Sequence, residues 1–249
     1  MKINIKTPDE IELMRVAGRK AAAVLDYVSE HVREGVSTNY LNELCHKHIT
    51  ENLKCTPAPL NYKGFPKSIC TSVNDEVCHG IPSDRLLCDG DILNIDVTVI
   101  HEEYHGDTSR MFIVGDAVIE SKRLVAATRI CMLRGIETVA PGKYFSDIGT
   151  AIQDVASMLN YSVVREYGGH GIGKIFHDDP PVLHYHQAAR GPIMLPGMTF
   201  TVEPMINAGC KEIKLLDDGW TVVTADGSMS AQWEHTVLVT EKGFEILTQ

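Results

Sequence analysis

The sequence predicts an α+β fold built from two similar halves that meet at a shared centre, and three observations predict it. Residues 93–110 alternate as two strand-like segments around a short polar tip, which reads as a β-hairpin. The order helix, helix, strands occurs twice, with helix starts offset by about 110 residues, a duplication signal without residue-level identity. Asp96 and Glu203, each an acid in a β-prone run, keep the same spacing at 107 residues (203 − 96).

Composition sets the class. A chain of 249 residues can bury about 70–75 % of its unfolded surface, as one large domain or two fused halves. Its 44 % hydrophobic and 22 % charged content is that of an ordinary globular protein. The formal net charge of −10 argues against broad phosphate-driven binding to DNA, although a local basic patch could still dock on RNA. Seven cysteines, odd in number and without a C-x-x-C pair, fit neither a disulfide framework nor a zinc finger. They read as reduced thiols. No early apolar run has the length of a secretory signal, and none approaches the roughly 20 apolar residues of a membrane span. A cytoplasmic location is expected.

Thr7-Pro8-Asp9-Glu10 carries the marks of a helix start: a Thr cap, Pro at the first helical position and Glu closing a capping box. Ile11, Met14, Ala17, Ala21, Leu25 and Val28 continue at helical spacing to about Arg33, with Gly35 as the stop. A second helix is expected from about Thr38 to Leu53, burying Leu41, Leu44, Cys45 and His48. The segment Cys55–Gly64, with two prolines, reads as loop. Ser68–Val77 reads as strand and delivers His79 to a turn.

In the hairpin, Leu93, Ile95, Val97 and Val99 share one face, and Asn94, Asp96 and Thr98 the other. A two-residue tip at His101-Glu102 would set Asp96 directly opposite Asp107, with Cβ atoms about 5 Å apart. Carboxylates that close repel unless a proton or a cation lies between them. Third and fourth helices are expected over about Val118–Val139 and from Ser146, as N-cap, to about Asn160. Strands return around Thr199–Glu203 and Trp233–Thr240.

Glu203 ends its strand beside Pro204, which stops the ladder. Glu234 abuts the β-prone run Thr236–Val239. With the two aspartates these make four carboxylates in four strands. A solvated face would explain any one of them, but acids are poor strand residues among β-branched neighbours, so a metal site is the better account. Tyr167–His177 adds His170 and His177 on a glycine-rich backbone that can fold closely, without the G-x-G-x-x-G spacing of a dinucleotide loop. His184 and His186 read as structural or exposed, and the absence of H-E-x-x-H excludes a zincin. Carboxylates with an imidazole are hard-to-borderline donors, suited to Mn, Fe(II), Co or Zn.

The stretches Val-Cys-His79-Gly-Ile-Pro, Asn-Ile-Asp96-Val-Thr-Val, His-Gly-Asp107-Thr-Ser, Gly-His170-Gly-Ile-Gly, Phe-His177, Thr-Val-Glu203-Pro-Met and Gln-Trp-Glu234-His-Thr resemble those of the methionine aminopeptidases in their short bacterial form, type I. The resemblance covers essentially the whole chain in order. It implies a pita-bread fold: a single domain over 1–249 of two pseudo-symmetric halves, about 1–115 and 116–249, with a curved antiparallel sheet and outer helices. It also implies two divalent ions (Co, Mn, Fe(II) or Zn), Asp96 on one, Asp107 and Glu234 bridging, His170 and Glu203 on the other.

Two such ions sharing a water can supply hydroxide near neutral pH. The family roles then fall on Glu203 as general base, His177 on the scissile carbonyl and His79 on the amide nitrogen. A methionine pocket is implied at Tyr62, Phe65, Cys70, Phe176 and Trp220, with Pro59 at a more variable position; aromatic rings suit a thioether. A monovalent cation, Na or K, is implied near Asn94, Val97 and Ser230.

The implied substrates are peptides and nascent chains that begin with methionine and continue with a small residue. The implied setting is a monomer with transient ribosome contact, no membrane and no DNA. Two departures stand out: a Glu102-Glu103 tip in place of Asp-Gly, and Asp178-Asp179 in place of two glutamates, which adds acid beside His177 and is expected to shift its pKa. The rivals are a prolidase or aminopeptidase P, which usually carry a further amino-terminal domain, a binding module without catalysis, and a structural metal site. His79 and His177 argue against the last, because a closed site needs no histidines around an open position.

Overall fold

The computed structural model describes residues 3–249; Met1 and Lys2, which open the segment read as lacking a secretory signal, lie outside it. Helix α1 (Pro8–Ser29) begins as its sequence dictates, with Thr7 N–H donating to Glu10 at 2.8 Å and the Thr7 hydroxyl accepting from Glu10 N–H. It ends at Ser29, short of Arg33, and Gly35 turns the chain at φ +79°. Helix α2 (Thr38–Lys47) is capped by Ser37 and widens into a π turn over His48–Asn52. The wider turn shifts the inward stripe: Leu41, Asn42, Cys45 and Ile49 are buried, while Leu44 and His48 are only half-buried.

Strands β1 (Thr56–Pro57), β2 (Cys70–Val73), β3 (Glu76–Cys78), β4 (Ile92–His101) and β5 (Tyr104–Ile113) follow. Next come α3 (Ile119–Ile136), α4 (Phe145–Met158), β6 (Ser162–Val163), β7 (Gly169–Gly171) and β8 (Asp178–Val182). The chain closes with β9 (Thr199–Val202), β10 (Met205–Asn207), β11 (Ile213–Leu215), β12 (Val222–Thr224), β13 (Ser230–Gln232), β14 (His235–Val239) and β15 (Phe244–Ile246). The α4 start differs from the expected one. Asp147 accepts the Tyr144 N–H at 3.0 Å, so its carboxylate does the capping and Ser146 is buried in the first turn.

In one sheet β4 pairs with β1, β2 and β5; another runs β15-β14-β9-β7-β8. Two small sheets, β13-β10-β6 and β11-β12-β3, complete the strands, and all the pairings are antiparallel. Helices α1 and α2 bury Ala21, Leu25, Val28, Leu41 and Cys45 against Leu93, Ile95, Val97 and Val99 of β4. Helices α3 and α4 bury Leu124, Met132, Ile148 and Ile152 against Phe200, Val202 and Val237. Each of the two larger sheets thus covers one face with helices and leaves its other face for the centre.

The β4–β5 register corrects the directly opposed aspartates. The tip is Glu102-Glu103, so Asp96 faces Ser109, and Asp107 faces Thr98. A slip of two positions keeps every side chain on its face, because the strand period is two. Asp96 and Asp107 are therefore diagonal neighbours on one surface. The sheets are stitched there by hydrogen bonds from β5 to the start of β14: Thr108 Oγ1 donates to Glu234 O at 2.8 Å, Glu234 N–H to Ser109 O at 3.2 Å, and Thr236 Oγ1 to Asp107 O at 2.7 Å.

Candidate active site

Asp96, Asp107 and Glu234 bring ligand oxygens within 4.8 Å of one another. Asp96 and Asp107 project from mid-strand, but Glu203 lies just past β9 and Glu234 between β13 and β14, so the second pair is not in strands as expected. Asp107 and Glu203 are held by neighbours. Thr98 Oγ1 donates to Asp107 at 2.6 Å, Thr201 Oγ1 to Glu203 at 2.6 Å and Gln232 Nε2 to the second Glu203 oxygen at 3.3 Å.

His170 completes the group, with Nε2 at 3.6 Å from both Asp107 and Glu203. Its Nδ1 lies 3.0 Å from the Gly171 carbonyl, which can only accept, so Nδ1 carries the proton. The Nε2 lone pair then faces two carboxylates. That is an arrangement of donors with nothing to donate to, and it is the orientation a metal-bound histidine takes when its other nitrogen holds a carbonyl.

The electrostatics agree. Burial, then the charge of Asp107, pushes Asp96 and Glu234 well above the usual carboxylate range, and the same causes raise Glu203. Burial pushes Asp107 up to about 7 against the hydrogen bond from Thr98. Burial pushes His170 down to about 4, so it offers a neutral ring. Four enclosed acids to which no lysine or arginine among the described residues is bonded are the donor set a divalent cation stabilises.

The same acids open on a cavity of about 280 Å³ lined also by Pro59, Tyr62, Phe65, Cys70, His79, Phe176, His177 and Trp220. Every residue expected in the methionine pocket is in this wall. Phe65 meets Trp220 edge-on at 5.2 Å, and Tyr62 meets Phe176 at 5.0 Å. His79 has φ +56° and is wedged edge-on against Tyr167 and Trp220. Burial lowers its pKa, so it enters the cavity as a neutral imidazole. His177 shares a 3.0 Å hydrogen bond with Tyr62 Oη and stands 4.2 Å from the His170 ring.

The expected effect of Asp178-Asp179 on His177 is not found. Partial burial of the ring, then the His170 imidazole, pushes its pKa down to about 3, and neither acid is among the main causes. The Asp178 carboxylate turns away, accepting from Asn4 Nδ2 at 2.6 Å.

The residues expected near a monovalent cation have their side chains engaged within the protein. Asn94 donates to Ser109 and to Gln232 O at 2.8 Å, and Ser230 bonds Asn207 at 2.9 Å. Val97 buries its side chain in the helix-covered core, so it could offer such an ion only its backbone carbonyl. Several neighbours of the site were not assigned to it from the sequence, among them Thr98, Thr201, Gln232 and His184. The last is buried and accepts the Glu203 N–H at 3.2 Å, which fits its structural reading and fixes the backbone beneath an acid. Thr98 had one legible signal, its place two residues from Asp96 on the polar face.

The profile of Metallopeptidase family M24 matches residues 12–241. A methionine aminopeptidase of Rickettsia prowazekii is 56% identical over 249 residues, which are 100% of this chain and 96% of that protein. One of Escherichia coli is 53% identical over 100% of this chain and 94% of its own length. The crystal structure of the Rickettsia prowazekii enzyme superposes with a TM-score of 0.98, covering 100% of both chains. A prolidase from Pyrococcus furiosus, 21% identical, shares the fold at a TM-score of 0.77 over 98% of this chain and 65% of that one.

Proposed function

Because the chain belongs to metallopeptidase family M24 and has the pita-bread fold, we propose that it removes the amino-terminal methionine from peptides and nascent proteins, preferring a small second residue. The observation that carries this reading is convergence: five candidate metal ligands, His79, His177 and the aromatic pocket all line one cavity. Asp96, Asp107, His170, Glu203 and Glu234 would hold two divalent ions, with Mn, Fe(II), Co and Zn the fitting choices for oxygen and imidazole donors. When bound, such ions lower the pKa of a water and polarise a carbonyl.

The chain's own groups do the rest. Glu203, anchored through Thr201 and Gln232, accepts a proton from the attacking water and passes it on to the departing amine. His177, neutral and tethered to Tyr62, donates a hydrogen bond to the carbonyl oxygen as charge develops there. His79, fixed by its ring contacts, hydrogen-bonds the amide nitrogen of the breaking bond. The pocket of Tyr62, Phe65, Cys70, Phe176 and Trp220 takes the methionine side chain, and sulfur–ring contacts add to burial. Asp96 and its neighbours receive the free α-amine, so a blocked terminus is rejected.

No helix among the described residues is long and apolar enough to cross a membrane, which is compatible with action as a cytoplasmic monomer at the ribosome. The test is release of methionine from Met-Ala-Ser by metal-stripped protein, with Mn, Fe(II), Co or Zn restored singly. Metal-dependent cleavage with acetyl-Met-Ala-Ser left intact is expected. Cleavage confined to Xaa-Pro peptides would move the assignment to the prolidases, and silence with every metal would discard it.

A further inference from the structure

Among the described residues lining the cavity, Lys63 is the only lysine or arginine, and neither metal binding nor methionine recognition uses it. We propose that Lys63 is a specificity-determining residue that binds a carboxylate on the departing part of the substrate. The carboxylate comes from an Asp or Glu shortly after the scissile bond, or from the free carboxyl end of a short peptide. The inference rests on the methionine-aminopeptidase reading above.

Direction comes first. With the α-amine at the acids and the methionine side chain among the aromatic rings, the remainder of the peptide has to leave past the exposed rim. His177 and Lys63 are both exposed there. Tyr62 joins them, because its hydroxyl bonds His177 and its ring centroid lies 5.3 Å from Lys63 Nζ. The ammonium is thus a neighbour of the histidine assigned to the scissile carbonyl.

Presentation comes second. Lys63 has φ +49°, a left-handed conformation that a lysine rarely adopts, in a turn closed by Tyr62 N–H to Pro59 O and Phe65 N–H to Tyr62 O, both 2.9 Å. An outlier of this kind at a site points towards function. The turn holds the base of the side chain at the rim, and Lys63 has no ion-pair partner among the described residues.

Charge comes third. The chain carries a formal −10, so an acidic peptide approaches against the general field. A single unpaired cation at the exit reverses that sign locally, and only for the part of the peptide that passes it.

Two peptide pairs read this out with metal-loaded protein: Met-Ala-Asp-Ser amide against Met-Ala-Asn-Ser amide, and Met-Ala-Ser acid against its amide. In at least one pair, kcat/KM should favour the carboxylate by about 3- to 5-fold, the size of an exposed ion pair, mainly through KM. That ratio should fall to about one in Lys63→Gln, persist in Lys63→Arg and shrink at high ionic strength. A preference in the first pair assigns the side-chain carboxylate, and in the second the carboxyl terminus. Ratios that are equal in the original protein and Lys63→Gln overturn the proposal. If the neutral amides are not cleaved at all, the aminopeptidase reading falls, and this inference with it.

Discussion

Residue types at the centre were legible because each breaks a local rule: Asp96 and Asp107 are acids within β-prone runs, and His79 and His170 sit at sharp or glycine-flanked backbone. Thr98, Thr201 and Gln232 break none, being ordinary residues of buried strands, so only the fold reveals that they hold the acids. Their effect is measurable. In Thr98→Val the bond to Asp107 is lost while shape is kept, and metal affinity should drop by about 10-fold, within the range for removing a partner of a metal ligand. Titration of the stripped variant with Mn would show it, and an unchanged affinity would deny Thr98 that role. His79→Ala should behave in the opposite way. It should retain full metal content yet lose about 100-fold or more in kcat, since the role proposed for its imidazole is to touch substrate rather than metal. An unchanged kcat removes His79 from the chemistry.

At the scale of elements, helices were read more securely than registers. The Thr7–Glu10 capping box fixes the start of α1 through contacts within four residues, whereas the β4–β5 register depends on which residues accept left-handed backbone at the tip. Glu102 and Glu103 do so at φ +47° and +73°, a conformation that glutamate does not favour. The π turn after α2 is likewise settled by packing, whereas the Asp147 cap of α4 is as local as that of α1, three residues from Tyr144. The close crossing of α1 over the hairpin was not legible at all. A Cβ on Gly106 would lie 2.3 Å from the Ala17 carbonyl carbon and oxygen, with backbone on both sides. Gly106→Ala should therefore cost about 2 kcal/mol or more, because helix or hairpin must move. Gly243 has ordinary backbone and nothing within 4 Å of the position a Cβ would take, so it should accept Ala within about 0.5 kcal/mol. Urea midpoints of the two variants test the contrast, and equal midpoints would refute the tight crossing.

Across the whole molecule, the two sheets place four acids at a seam where protein alone leaves them uncompensated, so stability and metal occupancy have to be coupled. In the metal-free protein the acids have folded pKa values above the unfolded carboxylate range of about 4, Asp107 at about 7. The folded state then binds more protons than the unfolded one, and stability is retained below about pH 4 and lost as pH rises through about 7. Buried His184 and His235, pushed down to about 3 and 4, act with the opposite sign: they cost stability below the unfolded value of about 6.5 and cease to do so above it. Those histidines are present with or without metal, so the difference in Tm between loaded and stripped protein largely cancels them. Metal binding requires the carboxylates deprotonated, and saturation at about 100 times Kd contributes about 2.7 kcal/mol. The gap between loaded and stripped Tm should therefore widen steadily from about pH 5 to pH 7.5, with the stripped protein losing ground above pH 6.5. A gap that stays constant over that range would mean that the acids already ionise together without metal, and the cluster would no longer account for why this fold needs its ions.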